Sequence, residues 1–240
     1  RMCSFFQSFL TMTEKPFLFI DADDTLWENE RYFRDAEARF AALLSPHSPL
    51  AEVQKLLWDK QEENIPLFGY GSKTYMIGMT DAAIEICGGS LQRETYLAIK
   101  KIITDLAFHK LEIFPGVRET LETLSERYRL VLATKGDAVE QMAKVDASGL
   151  APLFSAIEVM KNKEEGDYLT LCSKFGIRPS EMTMVGNSVR SDILPVIGIG
   201  GRAIYIPHEI VWVHEIAELP ESDLLVKADE FCNLTRLLMA

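Results

Sequence analysis

Apolar residues recur along the chain in two rhythms. Brief runs rich in Val, Ile and Leu stand at Phe17–Ile20, Leu130–Ala133, Ala156–Val159, Met182–Val185 and Ala203–Ile206. Each is apolar on both alternating faces and is followed by polar residues or glycine, as in strands buried within a parallel sheet. Helical periodicity fills the intervals. Pro115-Gly116 opens a segment in which Val117, Leu121 and Leu124 share a face. Asp137 is placed to cap another that ends near Gly149, and residues 167–175 read as a third. Strands alternating with helices predict an α/β, doubly wound, Rossmann-like parallel sheet with right-handed crossovers.

One interval breaks the alternation. Between Leu26 and Pro115 there is no good strand, and four helical patterns take its place. Phe33, Ala36, Phe40, Leu43 and Leu44 form one stripe; Val53, Leu56 and Leu57 mark a second; Met76, Met79, Ala83 and Ile84 a third; Leu91 to Lys110 a fourth. The segment "NIPLFGYGSK", Asn64 to Lys73, reads as a loop between two of them. The predicted organisation is an α/β core over 12–26 and 115–240, an all-helical insert over 27–114, and an extension over 1–11. That extension contains "FFQSFL", too interrupted for a signal-peptide core, although a signal-like segment is the alternative reading.

Composition narrows the class. With 240 residues, 48% of them hydrophobic and 25% charged, the chain has the make-up of a folded globular protein with a full core. A formal charge of -11 argues against a nucleic acid polymer or an anionic membrane as partner, though not against a small anionic substrate. Cys3, Cys87, Cys172 and Cys232 make no metal or disulfide pattern, so a reduced, cytoplasmic setting is expected. No apolar run is long enough to span a bilayer. The oligomeric state is left open.

The chemistry gathers where the strands end, because ligands of open parallel sheets sit at the carboxyl ends of strands. After the first come Asp21, Asp23, Asp24 and Thr25; after the second, Thr134 and Lys135; after the third, Lys161 and Lys163; after the fourth, Asn187, Ser188 and Asp192. Like charges about 4 Å apart repel by roughly 4 kcal/mol at an effective dielectric near 20, so the crowding in "DADD" demands a reason. A turn or helix cap suffices for Asp24. Asp21 and Asp23 alternate along extended backbone and can face one site.

This order of motifs resembles the haloacid dehalogenase superfamily, most of whose members are phosphatases. "FIDADDTL" matches its D-x-D-x-T motif, "LVLAT" its strand ending in Thr, a Lys after the next strand its third motif, and "MVGNSVRSD" its fourth. The resemblance covers Pro16 to Ile206, and the insert lies where many members carry a cap domain. It implies a phosphatase for a small phosphorylated metabolite, with Asp21 as nucleophile and Asp23 as general acid/base. It further implies Mg²⁺ held by Asp21, Asp23 through its carbonyl, Asp192 and, through its amide oxygen, Asn187. Thr134 and Lys163 would bind the phosphoryl group, with Lys135 beside them. Lys161 competes with Lys163 for that role, the spacing to Tyr168 favouring Lys163.

Asn187 replaces an acid found in many members, which implies weaker metal binding. Lys73, in the "GYGSK" loop, is the candidate to meet an anionic substrate, against the plainer reading of a helix-to-helix turn. Trp27, Phe33, Trp58, Phe68 and Tyr70 read first as core of the insert, Arg31 and Arg34 as solvated, and the histidines carry no assignment. Rival readings are a 2-haloacid dehalogenase, which needs neither metal nor Asp23, a phosphonate hydrolase, a phosphosugar mutase and a non-catalytic member of the fold.

Overall fold

The computed structural model describes residues 15–239. The expected extension over 1–11 lies outside them. Six parallel strands form one sheet: β1 (Phe17–Ile20), β2 (Arg129–Lys135), β3 (Ala156–Met160), β4 (Thr183–Gly186), β5 (Arg202–Tyr205) and β6 (Leu225–Lys227). Their order is β3-β2-β1-β4-β5-β6. The chain runs outward from β1 in one direction through β3, then returns to β4 on the other side. The order therefore reverses between β1 and β4, and a crevice opens at their carboxyl ends. Five strands fall on the expected runs, each shifted by no more than two residues. The sixth escaped because it is three residues long, at the sheet edge and largely exposed.

Alternation explains the two-sided apolar runs. Leu18, Ile20, Leu130, Leu132 and Val185 point to one face. There they pack on Val117, Leu121 and Leu124 of α5 (Val117–Ser125), all fully buried. Phe19, Val131, Ala133 and Met184 point to the other face, against Tyr168 and Leu171 of α7 (Glu165–Phe175). The third helix of the core, α6 (Ala138–Ser148), is capped as expected by Asp137, whose carboxylate accepts from the amides of Val139 and Glu140, and it ends at left-handed Gly149. The short α8 (Leu194–Gly198) and α9 (Leu234–Met239) complete the covering.

Four helices occupy the interval between β1 and α5: α1 (Glu30–Leu44), α2 (Leu50–Phe68), α3 (Ser72–Ile86) and α4 (Arg93–Ala107). They enclose a separate apolar cluster that includes Phe40, Leu44, Leu57, Met79 and Ile99. The chain enters and leaves this module side by side. Trp27 and Ile113 form an antiparallel bridge, flanked by Glu28 N to Glu112 O at 2.9 Å and Phe114 N to Leu26 O at 2.9 Å.

Two expectations here are corrected. Asn64 to Lys73 is not one loop: α2 runs through Pro66 to Phe68, and only Gly69–Gly71 link it to α3. Proline forfeits one donor, but the last turn still closes through Gly69 N to Ile65 O at 2.8 Å. Phe68, expected in the core, is 59% exposed at the end of α2. Among the described residues no helix is long and apolar enough to cross a membrane.

Candidate active site

Past β1 the backbone stays in register for one more residue, with Asp21 N donating to Val185 O at 2.9 Å. It then folds tightly, Leu26 N reaching Ala22 O at 2.8 Å and Asp24 N reaching Trp27 O at 2.8 Å. This turn separates the three acids. The Asp24 carboxylate accepts from the amides of Asn29 and Glu30 at 2.8 and 3.0 Å, so it fastens the start of α1. The cap reading of Asp24 is thus the one realised, in a residue with a left-handed φ of 58°.

Asp21 is buried. Lys163 Nζ bridges it to Asp192, 2.5 Å from Asp21 Oδ1 and 2.7 Å from Asp192 Oδ1. Lys163 is buried and Lys161, the other candidate, is exposed. Burial works to lower the Lys163 ammonium, but Asp192 and Asp21 outweigh it and raise it. For Asp21 burial prevails: against the attraction of Lys163, burial together with Asp192 pushes the carboxyl up to about 7. One ammonium does not neutralise two buried carboxylates.

The remaining oxygens have light partners. Thr25 Oγ1 lies 3.2 Å from Asp21 Oδ2 and 3.2 Å from Asn187 Oδ1. Asp192 Oδ2 accepts the Ser188 amide at 3.0 Å. Asp192 rides on a π-helical turn, Val189–Ile193, a form common at functional sites. Only glycine fits at 186, since a Cβ there would stand 2.2 Å from Asp192 Oδ2.

Asp23 is held from three sides. Lys144 Nζ lies 2.9 Å from both of its oxygens, Trp27 Nε1 donates at 2.7 Å and Gln141 Nε2 at 3.2 Å. Gln141 also reaches the Thr134 hydroxyl at 2.6 Å. Lys135 pairs with Glu215, whose other oxygen accepts from Ser188 and Ser191. Burial pushes Glu215 up, but Lys135 and the two serines hold it below the usual carboxylate range.

These groups face one cavity of about 170 Å³ between the sheet edge and helices α1 to α3. Asp21, Asp23, Thr134, Lys135, Lys163, Asn187 and Asp192 all line it. Lys73 does not. Its ammonium pairs with Asp137 at 2.7 Å on an exposed face, where the start of α3 meets the start of α6 through Ser72 donating to Glu140. Tyr70 and Phe33, read as core, line the cavity instead. Arg34, read as solvated, lies 3.1 Å from both Glu30 and Glu37.

Sequence reasoning missed Gln141, Lys144, Trp212 and Glu215. The first two sit on α6 at positions 4 and 7 after Asp137, a spacing that puts them on one helix face. Glu215, in a stretch of weak pattern, gave no signal. His208 was also missed; its Nε2 lies 3.8 Å from Asp24 Oδ1 and 3.5 Å from Glu28 Oε1, a group able to hold a cation beside the acidic turn.

Comparison with known proteins bears out the family resemblance. A family model described as haloacid dehalogenase-like hydrolase matches residues 17–200. The rat N-acylneuraminate-9-phosphatase is 27% identical over 220 residues, 85% of this chain and 84% of its own. A phosphoglycolate phosphatase from Mannheimia succiniciproducens is 30% identical over 172 residues, 67% of this chain and 75% of its own. Among solved structures, a haloacid dehalogenase-like hydrolase from Xanthomonas campestris has a TM-score of 0.84 at 32% identity, over 95% of this chain and 92% of that one. A 2-haloacid dehalogenase from Pseudomonas syringae shares the fold alone, at 21% identity and a TM-score of 0.60 over 94% and 98% of the two chains.

Proposed function

The chain belongs to the haloacid dehalogenase-like hydrolases, and we propose that it hydrolyses small phosphomonoesters through an aspartyl-phosphate on Asp21. The observation that carries this reading is the buried Lys163 joining Asp21 to Asp192 while Asp23 and Thr134 meet the same cavity. Lys163 steers Asp21 Oδ1, which leaves Oδ2 to attack phosphorus. Thr134 and Lys163 take the equatorial oxygens of the transferring group. Asp23, aimed by Lys144, Trp27 and Gln141, gives a proton to the leaving oxygen and then takes one from the attacking water. The care taken over Asp23 speaks for phosphoryl chemistry over the dehalogenase reading, which has no use for that acid.

The donor set fits Mg²⁺. Asp21, Asp192, the Asn187 amide and the Asp23 carbonyl offer oxygen only, and the excess negative charge around Lys163 asks for a cation. Bound there, Mg²⁺ would polarise the phosphoryl oxygens and neutralise charge on them. The insert of α1 to α4 would act as a cap whose closure excludes water from the cleft.

The test is phosphate release from a panel of monoesters, with Mg²⁺ or with chelator. Wild-type turnover should need the metal and fall at least about 10⁴-fold in Asp21→Asn, near the loss of a catalytic triad member. Turnover that survives chelation or persists in Asp21→Asn would sink the mechanism.

A further inference from the structure

Every lysine that lines the cleft is engaged: Lys163 by Asp21 and Asp192, Lys144 by Asp23, Lys135 by Glu215. They are the basic side chains among its described lining residues, against eight carboxylates. All three sit on the sheet side, where the phosphoryl group would be bound. The opposite wall has a different character. Glu30 of α1, Gln61 of α2 and Thr74 of α3 line it, each buried.

The Glu30 side chain is only 7% exposed. Arg34 Nε lies 3.1 Å from its Oε1, yet out of line for a hydrogen bond, and that oxygen has no hydrogen-bond partner among the described residues. Burial lifts this carboxyl to about 8, against the pull of Arg34. Asp24 fixes it in place by binding its amide. Gln61 Nε2 donates to Tyr75 O at 3.3 Å, which leaves its carbonyl oxygen for a ligand. Gln61 can lie there only because residue 78 is glycine; a Cβ would stand 2.5 Å from Nε2. Phe33, Tyr70 and Trp212 add ring surface, the last two packed edge to face at 5.9 Å.

We propose that Glu30, Gln61 and Thr74 bind a neutral, polyhydroxylated leaving group, so that the substrate class is a sugar or polyol monophosphate. This rests on the phosphatase reading of the same cleft. A leaving group with its own carboxylate would add to the eight carboxyl groups that line the cleft and find no free cation, a costly burial. Hydroxyls can both donate and accept, and so satisfy an acid, an amide oxygen and a hydroxyl together. The C–H faces of such a molecule suit the three aromatic rings. The inference separates this chain from its relative named for phosphoglycolate.

The test compares kcat/KM with Mg²⁺ on ribitol 5-phosphate, glucose 6-phosphate, 2-phosphoglycolate, phosphoethanolamine and p-nitrophenyl phosphate. The enzymes are wild type, Glu30→Gln, Glu30→Leu and Asp21→Asn. A polyol or sugar ester should exceed both charged esters by tenfold or more, about the worth of one matched polar contact. Glu30→Leu should lose roughly tenfold more on that ester than on p-nitrophenyl phosphate, through KM, and Glu30→Gln should recover most of it. The melting temperature of Glu30→Leu should not fall, since a buried carboxyl without a hydrogen bond is removed. Better turnover of 2-phosphoglycolate or phosphoethanolamine, or an equal loss on all esters in Glu30→Leu, overturns the proposal while the phosphatase reading stands. Absence of Asp21-dependent turnover of p-nitrophenyl phosphate overturns both.

Discussion

The two walls of the cleft are built on opposite terms. On the sheet wall every charge has a partner: Lys163 with two aspartates, Lys144 with Asp23, Lys135 with Glu215. On the helical wall the Glu30 carboxyl is buried without a hydrogen bond, and Gln61 keeps an oxygen unused. The first arrangement preorganises groups for charge that develops during reaction, where fixed dipoles and ions cost no reorganisation. The second leaves bonding capacity for something that arrives. On the proposed reading the paired groups serve the chemistry, and the Glu30 and Gln61 oxygens that lack hydrogen bonds serve recognition.

The strongest way to break this comparison is at Lys163. Lys163→Met leaves Asp21 and Asp192 buried without countercharge, so urea unfolding should show a loss of about 3–5 kcal/mol. Phosphate release should vanish with it. Added Mg²⁺ should return part of the stability, and indifference to the metal would contradict the site drawn here. Lys144→Met is gentler. It removes one of three supports of Asp23, and kcat should fall about 10- to 100-fold, less than the roughly 10²–10⁴-fold carried by general acid catalysis as a whole.

Glu30 sharpens the contrast through pH. Burial pushes its carboxyl from the ordinary 4.5 up to about 8, against Arg34, with Asp24, Glu37 and Glu215 adding to the rise. Between those values the folded state holds the extra proton. Stability of the metal-free wild type should therefore fall, relative to Glu30→Gln, as pH rises from about 4.5 to about 8, by on the order of a few kcal/mol. Parallel urea midpoints for the two proteins would reveal no divergence if Glu30 were freely solvated. The smallest effect is expected outside the cleft. Lys73→Ala breaks an exposed pair with Asp137, so KM should stay within about twofold and stability within about 0.5 kcal/mol.

Much of the sheet wall was legible in the residues. Asp21 and Thr134 follow apolar runs directly, with Asp23 and Asp192 in the turns just beyond, and a strand of a parallel sheet fixes where its next residue goes. Between Lys161 and Lys163 the spacing to Tyr168 gave only a preference, because both follow β3 and the turn into α7 is what buries Lys163. Lys73 misled for a similar reason: a cation in a glycine loop looks available until a helix cap such as Asp137 is found beside it. Gln141 and Lys144 were present as a helix-face pair, with nothing in the sequence to say which strand end that face would meet.

The sequence by itself determined the α/β alternation, the helical insert and the acids at the end of β1, because each depends on spacing within a few residues. The tertiary structure decided the rest. Glu30 and Glu215 reach the cavity from segments separated by about 185 residues, and Gln61 sits against it only because Gly78 of another helix makes room. Whether a buried acid finds a partner depends on the packing of helices against one another, and contacts at that separation leave no periodic trace along the chain.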